Sequence, residues 1–193
     1  MKKKRVGVRL FKAFVLCILL LGIVGVAAGG VFVKHVIDNT PEVTAKDILP
    51  QGYTTSIVDQ NGTVLEQLKD SDSNRVYKKY DEISKYMGDA FVAIEDERFY
   101  KHNGIDLQGI IRAGVVGVTH GFHFTEGAST LTQQLIKNNV FPNFVNETNS
   151  ERFERKIQEQ YLALKIEKQM SKKEILEAYM NTINLGQGCL GVQ

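Results

Sequence analysis

Gly127-Ala128-Ser129-Thr130-Leu131-Thr132-Gln133-Gln134-Leu135-Ile136-Lys137-Asn138 gathers hydroxyl, amide and ammonium side chains at a density that few apolar cores can absorb. About 30 residues earlier stands a second dense segment, Glu95-Asp96-Glu97-Arg98-Phe99-Tyr100-Lys101-His102-Asn103-Gly104. Both read as helix-borne clusters rather than as solvated loops. Ser129 can cap the helix that carries the first. One turn apart on it, Gln133 and Lys137 share a face, as do Thr130 and Gln134, so one face can present an amide and an ammonium together.

Outward from these clusters the periodicity is helical. Ile83, Tyr86, Met87, Ala90, Phe91 and Ile94 form an apolar stripe that leads into Glu95. Ile105 to Thr119 predicts a further helix. Within it, Ile110 to Val118 is apolar around most of its circumference, which suits either burial or a seat in a lipid headgroup layer. His120 to Gly127 reads as a glycine-bounded loop. Ser150 to Met170 predicts a long amphipathic helix with Phe153, Ile157, Tyr161 and Leu164 on its inner face. Ser171-Lys172-Lys173-Glu174 is a capping box that opens the last helix, whose apolar residues are Ile175, Leu176, Tyr179, Met180 and Ile183. Before all of these, Thr54 to Asp59 and Thr63 to Leu68 read as two strands joined at Asn61-Gly62 in a type I′ turn.

The N-terminus differs from this body. Residues 1–12 hold Lys2, Lys3, Lys4, Arg5, Arg9 and Lys12 and no acid, whereas the remainder carries 18 basic and 22 acidic side chains. Ala13 to Val33 is 21 residues without a charge, enough to span the ~30 Å of a bilayer's hydrocarbon. The basic flank predicts a cytoplasmic N-terminus with everything after Lys34 outside. A cleaved signal peptide is the rival reading, since small residues lie at Gly25 to Gly29, but the apolar run exceeds the usual ~7–15 residues. Cys17 within the apolar run and Cys189 near the other end do not form a disulfide framework. His35, His102, His120 and His123 lack zinc spacing. A mildly acidic body gives no reason to expect a nucleic-acid partner.

The two clusters, as E-D-x-x-F-x-x-H-x-G and G-A-S-T-L-T-Q-Q-L-x-K-N, resemble the first two motifs of the peptidoglycan glycosyltransferases (glycosyltransferase family 51). That family comprises the glycan-polymerising domain of class A penicillin-binding proteins and the monofunctional transglycosylases. Arg155-Lys156-Ile157-Gln158-Glu159 is similar to the third motif, R-K-x-x-E. Lys173-Glu174-Ile175-Leu176-Glu177-Ala178-Tyr179-Met180-Asn181 is similar to the fourth. The resemblance covers residues 80–193. It implies a mainly α, lysozyme-like two-lobed domain, here preceded by a transmembrane helix and a short β-hairpin linker. The expected organisation is a basic cytoplasmic tail at 1–12, an anchor at 13–33, an extracytoplasmic linker at 34–79 and the glycosyltransferase domain at 80–193. The protein is then a single-pass cell-membrane protein.

Forming a glycosidic bond needs a base for the attacking hydroxyl and positive charge for a departing diphosphate. A carboxylate at the end of an apolar helical face has a raised proton affinity suited to a base, which favours Glu95. The resemblance implies that Glu95 deprotonates the acceptor's 4-hydroxyl during inverting polymerisation of lipid II, with undecaprenyl diphosphate leaving. It implies that Asp96 and His102 shape the pocket, and that Ser129, Thr130, Gln133, Gln134, Lys137 and Asn138 bind substrate on the donor side. Arg155 and Lys156 add positive charge. Glu159 is the second important carboxylate, orienting substrate or a diphosphate-bound divalent cation, Mg or Mn; no organic cofactor is expected. Phe99 is packing, and Glu177 and Asn181 are the polar exceptions in a structural fourth motif. Lipid II, the growing glycan strand, the membrane and other cell-wall synthesis proteins are the partners implied.

Two departures stand out. The Phe141 to Glu151 connection is long and Asn-rich, and the family's fifth motif and last helices are absent, so a C-terminally truncated domain is expected. Neither Ser-x-x-Lys nor Lys-Thr-Gly occurs in these residues, so they contain no β-lactam-reactive transpeptidase. Two carboxylates flanking a sugar also describe a lysozyme-like hydrolase, which the cationic second motif disfavours. A non-catalytic fragment that binds lipid II or partner proteins is the remaining alternative.

Overall fold

The computed structural model describes residues 2–50, 55–68, 75–120, 127–141, 144–186 and 189–192. The uncharged run at the N-terminus lies in helix α1, Lys2–Asp38, whose segment Phe11–Asp38 is long and apolar enough to cross a membrane. The helix outlasts the expected anchor because Lys34 and Asp38, one turn apart, pair along it. It stops where Asn39 and Thr40 turn their side chains back to the carbonyls of His35 and Val36, just before Pro41. The chain divides into two compact units, Met1–Pro41 and Glu42–Gln193.

In the second unit, strands β1 (Thr55–Val58) and β2 (Val64–Leu68) form an antiparallel hairpin. Its turn is not the expected two-residue type. Asp59 N–H donates to Thr63 O, Gly62 N–H to Asp59 O, and Gly62 takes a left-handed φ of 83°. This is a three-residue loop. Asp59 imposes it by accepting the N–H groups of both Asn61 and Thr63 on one carboxylate oxygen. The strand position read at Thr54 lies outside the described residues, as does most of the loop read at His120 to Gly127.

The rest is helical: α2 (Lys85–Glu95), α3 (Leu107–Thr119), α4 (Leu131–Val140), α5 (Asn149–Ile166) and α6 (Lys172–Thr182), with single 3₁₀ turns at Tyr80–Glu82, Phe99–Lys101 and Phe144–Asn146. α6 is the centre. Its Ile175, Leu176, Ala178, Tyr179, Met180, Asn181 and Thr182 are all buried, and α4 packs against both it and α5. Leu131, Leu135, Ile136, Leu162, Ile166 and Phe99 complete the core, each fully buried and each worth about 1.5–3 kcal/mol. Ser171 and Glu174 form the expected capping box, and Thr148 with Glu151 forms another at the start of α5.

Two helices turn a different face inward from the one expected. α5 ends at Ile166, and its Phe153 is 61% exposed, while the buried stripe is Arg155, Glu159, Leu162, Ala163 and Ile166. Periodicity alone counts charges as outward, but Arg155 and Glu159 neutralise each other inside. In α2 the expected stripe is open to solvent at Tyr86 and Ile94, while its Phe91 packs edge-on against Tyr179, and Gly88 and Val92 are buried beside it. Gly88 lies at this contact, where a Cβ would meet the side chain of Leu176 at an ordinary 3.5 Å.

The polar residues of the fourth motif tie the start of the body to its centre. Glu177 accepts the Tyr77 hydroxyl and the Tyr80 N–H, and the Asn181 side chain bonds both the N–H and the carbonyl of Lys78 at 2.8 Å. A third bond runs from Asn181 to the Glu177 carbonyl. Replacing Asn181 by Ala therefore strands buried backbone groups, and thermal melting should report a loss of about 2–4 kcal/mol.

Candidate active site

The site begins with two adjacent acids that point opposite ways. α2 ends at Glu95, which stands exposed, whereas Asp96, with φ −158°, breaks the helix and turns its carboxylate inward until it is 6% exposed. There Asp96 accepts His102 Nε2 at 2.9 Å and the N–H of Leu131 at 3.0 Å. Leu131 is the first residue of α4, so a buried anion meets one of the helix's unsatisfied N–H groups and the positive end of its dipole. The first and second motifs are thus joined through one carboxylate.

A second junction lies at Gly104. His102 Nδ1 accepts the Gly104 N–H at 3.1 Å, which places the ring proton on Nε2 facing Asp96. The Gly104 carbonyl accepts both Thr130 Oγ1 at 2.9 Å and Gln133 Nε2 at 3.0 Å. Thr130, not Ser129, caps α4, accepting the N–H of Gln133. Gly104 has a φ of 91°, and a Cβ on it would lie 2.8 Å from the backbone of Ala163. Asp96, His102, Thr130 and Gln133 are therefore a buried framework, although the sequence placed them among substrate-binding residues. Their inward hydrogen bonds stabilise the fold more than solvent contacts would.

What faces outward is a different set. Glu95, Ser129, Gln134, Lys137 and Lys156, with Ile94 and Gly127, line one cleft of about 340 Å³. The amide beside Lys137 is that of Gln134, not of Gln133, and it donates to Glu95 Oε2 at 2.9 Å. Lys156 Nζ bridges Ser129 Oγ at 2.9 Å and Glu159 Oε2 at 2.8 Å. Asn138 is half-buried on α4, outside the lining of this cleft. An adjoining smaller cleft of about 170 Å³, which shares Ile94, Glu95, Gly127 and Ser129 with the first, is also lined by Arg98, Asp106 and Arg112. Glu95 is thus exposed between two clefts rather than set at the edge of buried surface.

Beneath the lysines lies a buried ion cluster. Glu159 is fully buried, with one oxygen taken by Arg155 and the other by Lys156. Arg155 also meets Glu147 through Nε at 2.7 Å, and Glu147 pushes the guanidinium above its ordinary value. Lys137 Nζ and the Arg155 guanidinium both lie over the ring of Phe144, at 4.8 and 5.7 Å from its centroid. Burial draws the Lys137 ammonium below the ordinary lysine value; Lys156 and Arg155 add to this, while Glu159 and Glu95 oppose it. Phe144 and Glu147 come from the Asn-rich connection, where no periodicity marks them. Glu159 does not fit a metal-binding role here, since both of its oxygens are engaged, and among the described residues no three His, Cys, Asp or Glu side chains converge.

A family model described as Transglycosylase matches residues 61–193. The chain belongs to the transglycosylase family. It is 41% identical over 187 residues to Penicillin-binding protein 1A of Clostridium perfringens (strain 13 / Type A), covering 95% of this chain and 26% of that protein. Penicillin-binding protein 1A/1B of Bacillus subtilis (strain 168) is 35% identical over 190 residues, covering 98% of this chain and 20% of the relative. The chain therefore spans about a quarter of the length of the curated relatives it matches. The family match takes in all four motifs and reaches back to the turn of the β-hairpin, before Tyr80.

The Gly104 junction is open to a direct check. Gly104→Ala combines a left-handed φ with a clash against backbone, so denaturant unfolding should show a loss of about 2–5 kcal/mol.

Proposed function

We propose that this chain carries the catalytic machinery of a peptidoglycan glycosyltransferase that polymerises lipid II with inversion. The observation that carries the reading is the cleft itself: one exposed carboxylate, Glu95, shares it with two ammonium groups, Lys137 and Lys156. The carboxylate serves as general base and the lysines meet the leaving group. Glu95 takes the proton from the acceptor's 4-hydroxyl as its oxygen attacks the anomeric carbon of the donor. The bond to diphosphate breaks, and the departing negative charge is met by Lys137 and Lys156. Arg155 and Glu159 act from behind, holding Lys156 in place and keeping the site cationic. The two clefts meeting at Glu95 suit one sugar substrate on each side of the base. No step is routed through a metal.

A polyprenyl-linked substrate is met at a membrane surface, and two features support that setting. The first is the apolar α1, with its basic flank on the cytoplasmic side and the body outside. The second is the exposed stripe of Leu107, Ile111, Val115 and Val118 on α3, which suits the headgroup region. Cell-wall synthesis proteins acting on the same strand are the natural partners. The hydrolase alternative needs a second carboxyl at the cleft, and Glu159 is buried beneath it in an ion cluster.

Labelled lipid II, incubated with the full-length natural product and with this chain and resolved on a gel, tests the reading. A glycan ladder that falls ~10²–10⁴-fold in Glu95→Gln supports it; shortening of preformed glycan, or a silent full-length protein, overturns it. The lysine gives a pH signature. A depressed Lys137 loses its charge at a lower pH than the ordinary 10.5, so the rate should fall on the alkaline side as pH rises through that lowered value. Lys137→Arg, which stays charged, should move that limb to higher pH.

A further inference from the structure

Tyr179 lies on α6 in the densest part of the core, 1% exposed, with its ring edge-on to Phe91 at 5.6 Å between centroids. A phenylalanine would satisfy that packing equally well. The hydroxyl, however, reaches Gln134 Oε1 at 3.2 Å, and the same amide bonds Glu95 Oε2 through Nε2 at 2.9 Å. The direction of this chain is set by chemistry. An ionised carboxylate only accepts, so Gln134 must turn its NH₂ to Glu95 and its carbonyl to Tyr179, and Tyr179 must donate. A phenol without its proton would reverse the requirement and release the amide.

We infer that Tyr179 is a positioning residue for the base: by anchoring the Gln134 amide it holds Glu95 with Oε2 occupied, leaving Oε1, which no hydrogen bond among the described residues engages, for the acceptor hydroxyl. The inference rests on the glycosyltransferase reading and extends it to a residue of the fourth motif, whose apolar setting marked it as core. Burial, reinforced by the charge of Glu95, holds the phenol's proton well above the ordinary tyrosine range. Tyr179 therefore donates throughout the working pH range and takes no proton in the reaction. Its effect passes through geometry and through the hydrogen bond that Gln134 donates to the Glu95 carboxylate.

The test compares wild type, Tyr179→Phe, Gln134→Met and the double variant in the full-length protein, with lipid II as substrate. Tyr179→Phe should lower kcat by about 5- to 20-fold with KM changed less than about 2-fold, and should move the acid limb of the pH profile upward. In the Gln134→Met background the same substitution should cost nothing further, because its route to Glu95 is gone. A carboxyl ¹³C titration of Glu95, assigned with Glu95→Gln, should likewise move upward in Tyr179→Phe, and this readout needs no turnover. Unchanged kcat and titration in Tyr179→Phe, or losses that multiply in the double variant, overturn the inference. A wild type that makes no ladder overturns the glycosyltransferase reading instead, while the titration still decides whether Tyr179 acts on Glu95.

Discussion

The buried carboxylate of Asp96 is the interaction on which the rest of the site depends. It is taken out of water at the end of one helix and placed at the start of another, where His102 and the Leu131 N–H replace its lost hydration. Because Asp96 follows Glu95 directly, fixing one fixes the backbone that carries the other. Glu95 is therefore exposed but not loosely held. The same logic operates at Gly104, where one peptide is gripped by His102 on its N–H and by Thr130 and Gln133 on its carbonyl.

The cationic wall is built on a comparable compromise. A fully buried Glu159 is tolerable because Arg155 and Lys156 take both of its oxygens, and Arg155 is itself shared with Glu147. This leaves a net positive cluster with its lysines toward the cleft. Burial, with Lys156 and Arg155 close by, disfavours the charge on Lys137. Positive charge held at a cleft in this way is complementary to an anion.

Much of this was legible in the residues. The uncharged run from Ala13, the capping box at Ser171 and the helical spacing of the body are local signals with local causes, and the structure contains each element. The four motifs pointed to the family that the comparison shows. Less legible were the inner faces of α2 and α5. In α2 the buried contact runs through Gly88 and Val92 beside Phe91, and in α5, Arg155 and Glu159 became interior by pairing. Pattern reading passes over glycine and counts charge as outward, so it found only part of the inner face of α2 and missed the ion pair inside α5. Phe144 and Glu147 lay in a segment with no period at all.

The sequence by itself determined which residues form helices, where several of them are capped, that a membrane-length apolar segment precedes the body, and that two dense polar clusters lie within it. Only the tertiary structure decided the division of labour within those clusters. Asp96, His102, Thr130 and Gln133 turn inward as framework, Glu95, Gln134, Lys137 and Lys156 turn to the cleft, and Tyr179 joins them from the core. The physical reason is that a polar side chain's orientation depends on whether a partner waits for it inside. Those partners, Leu131 for Asp96, Gly104 for Gln133 and Tyr179 for Gln134, lie tens of residues away along the chain, beyond the reach of any local pattern.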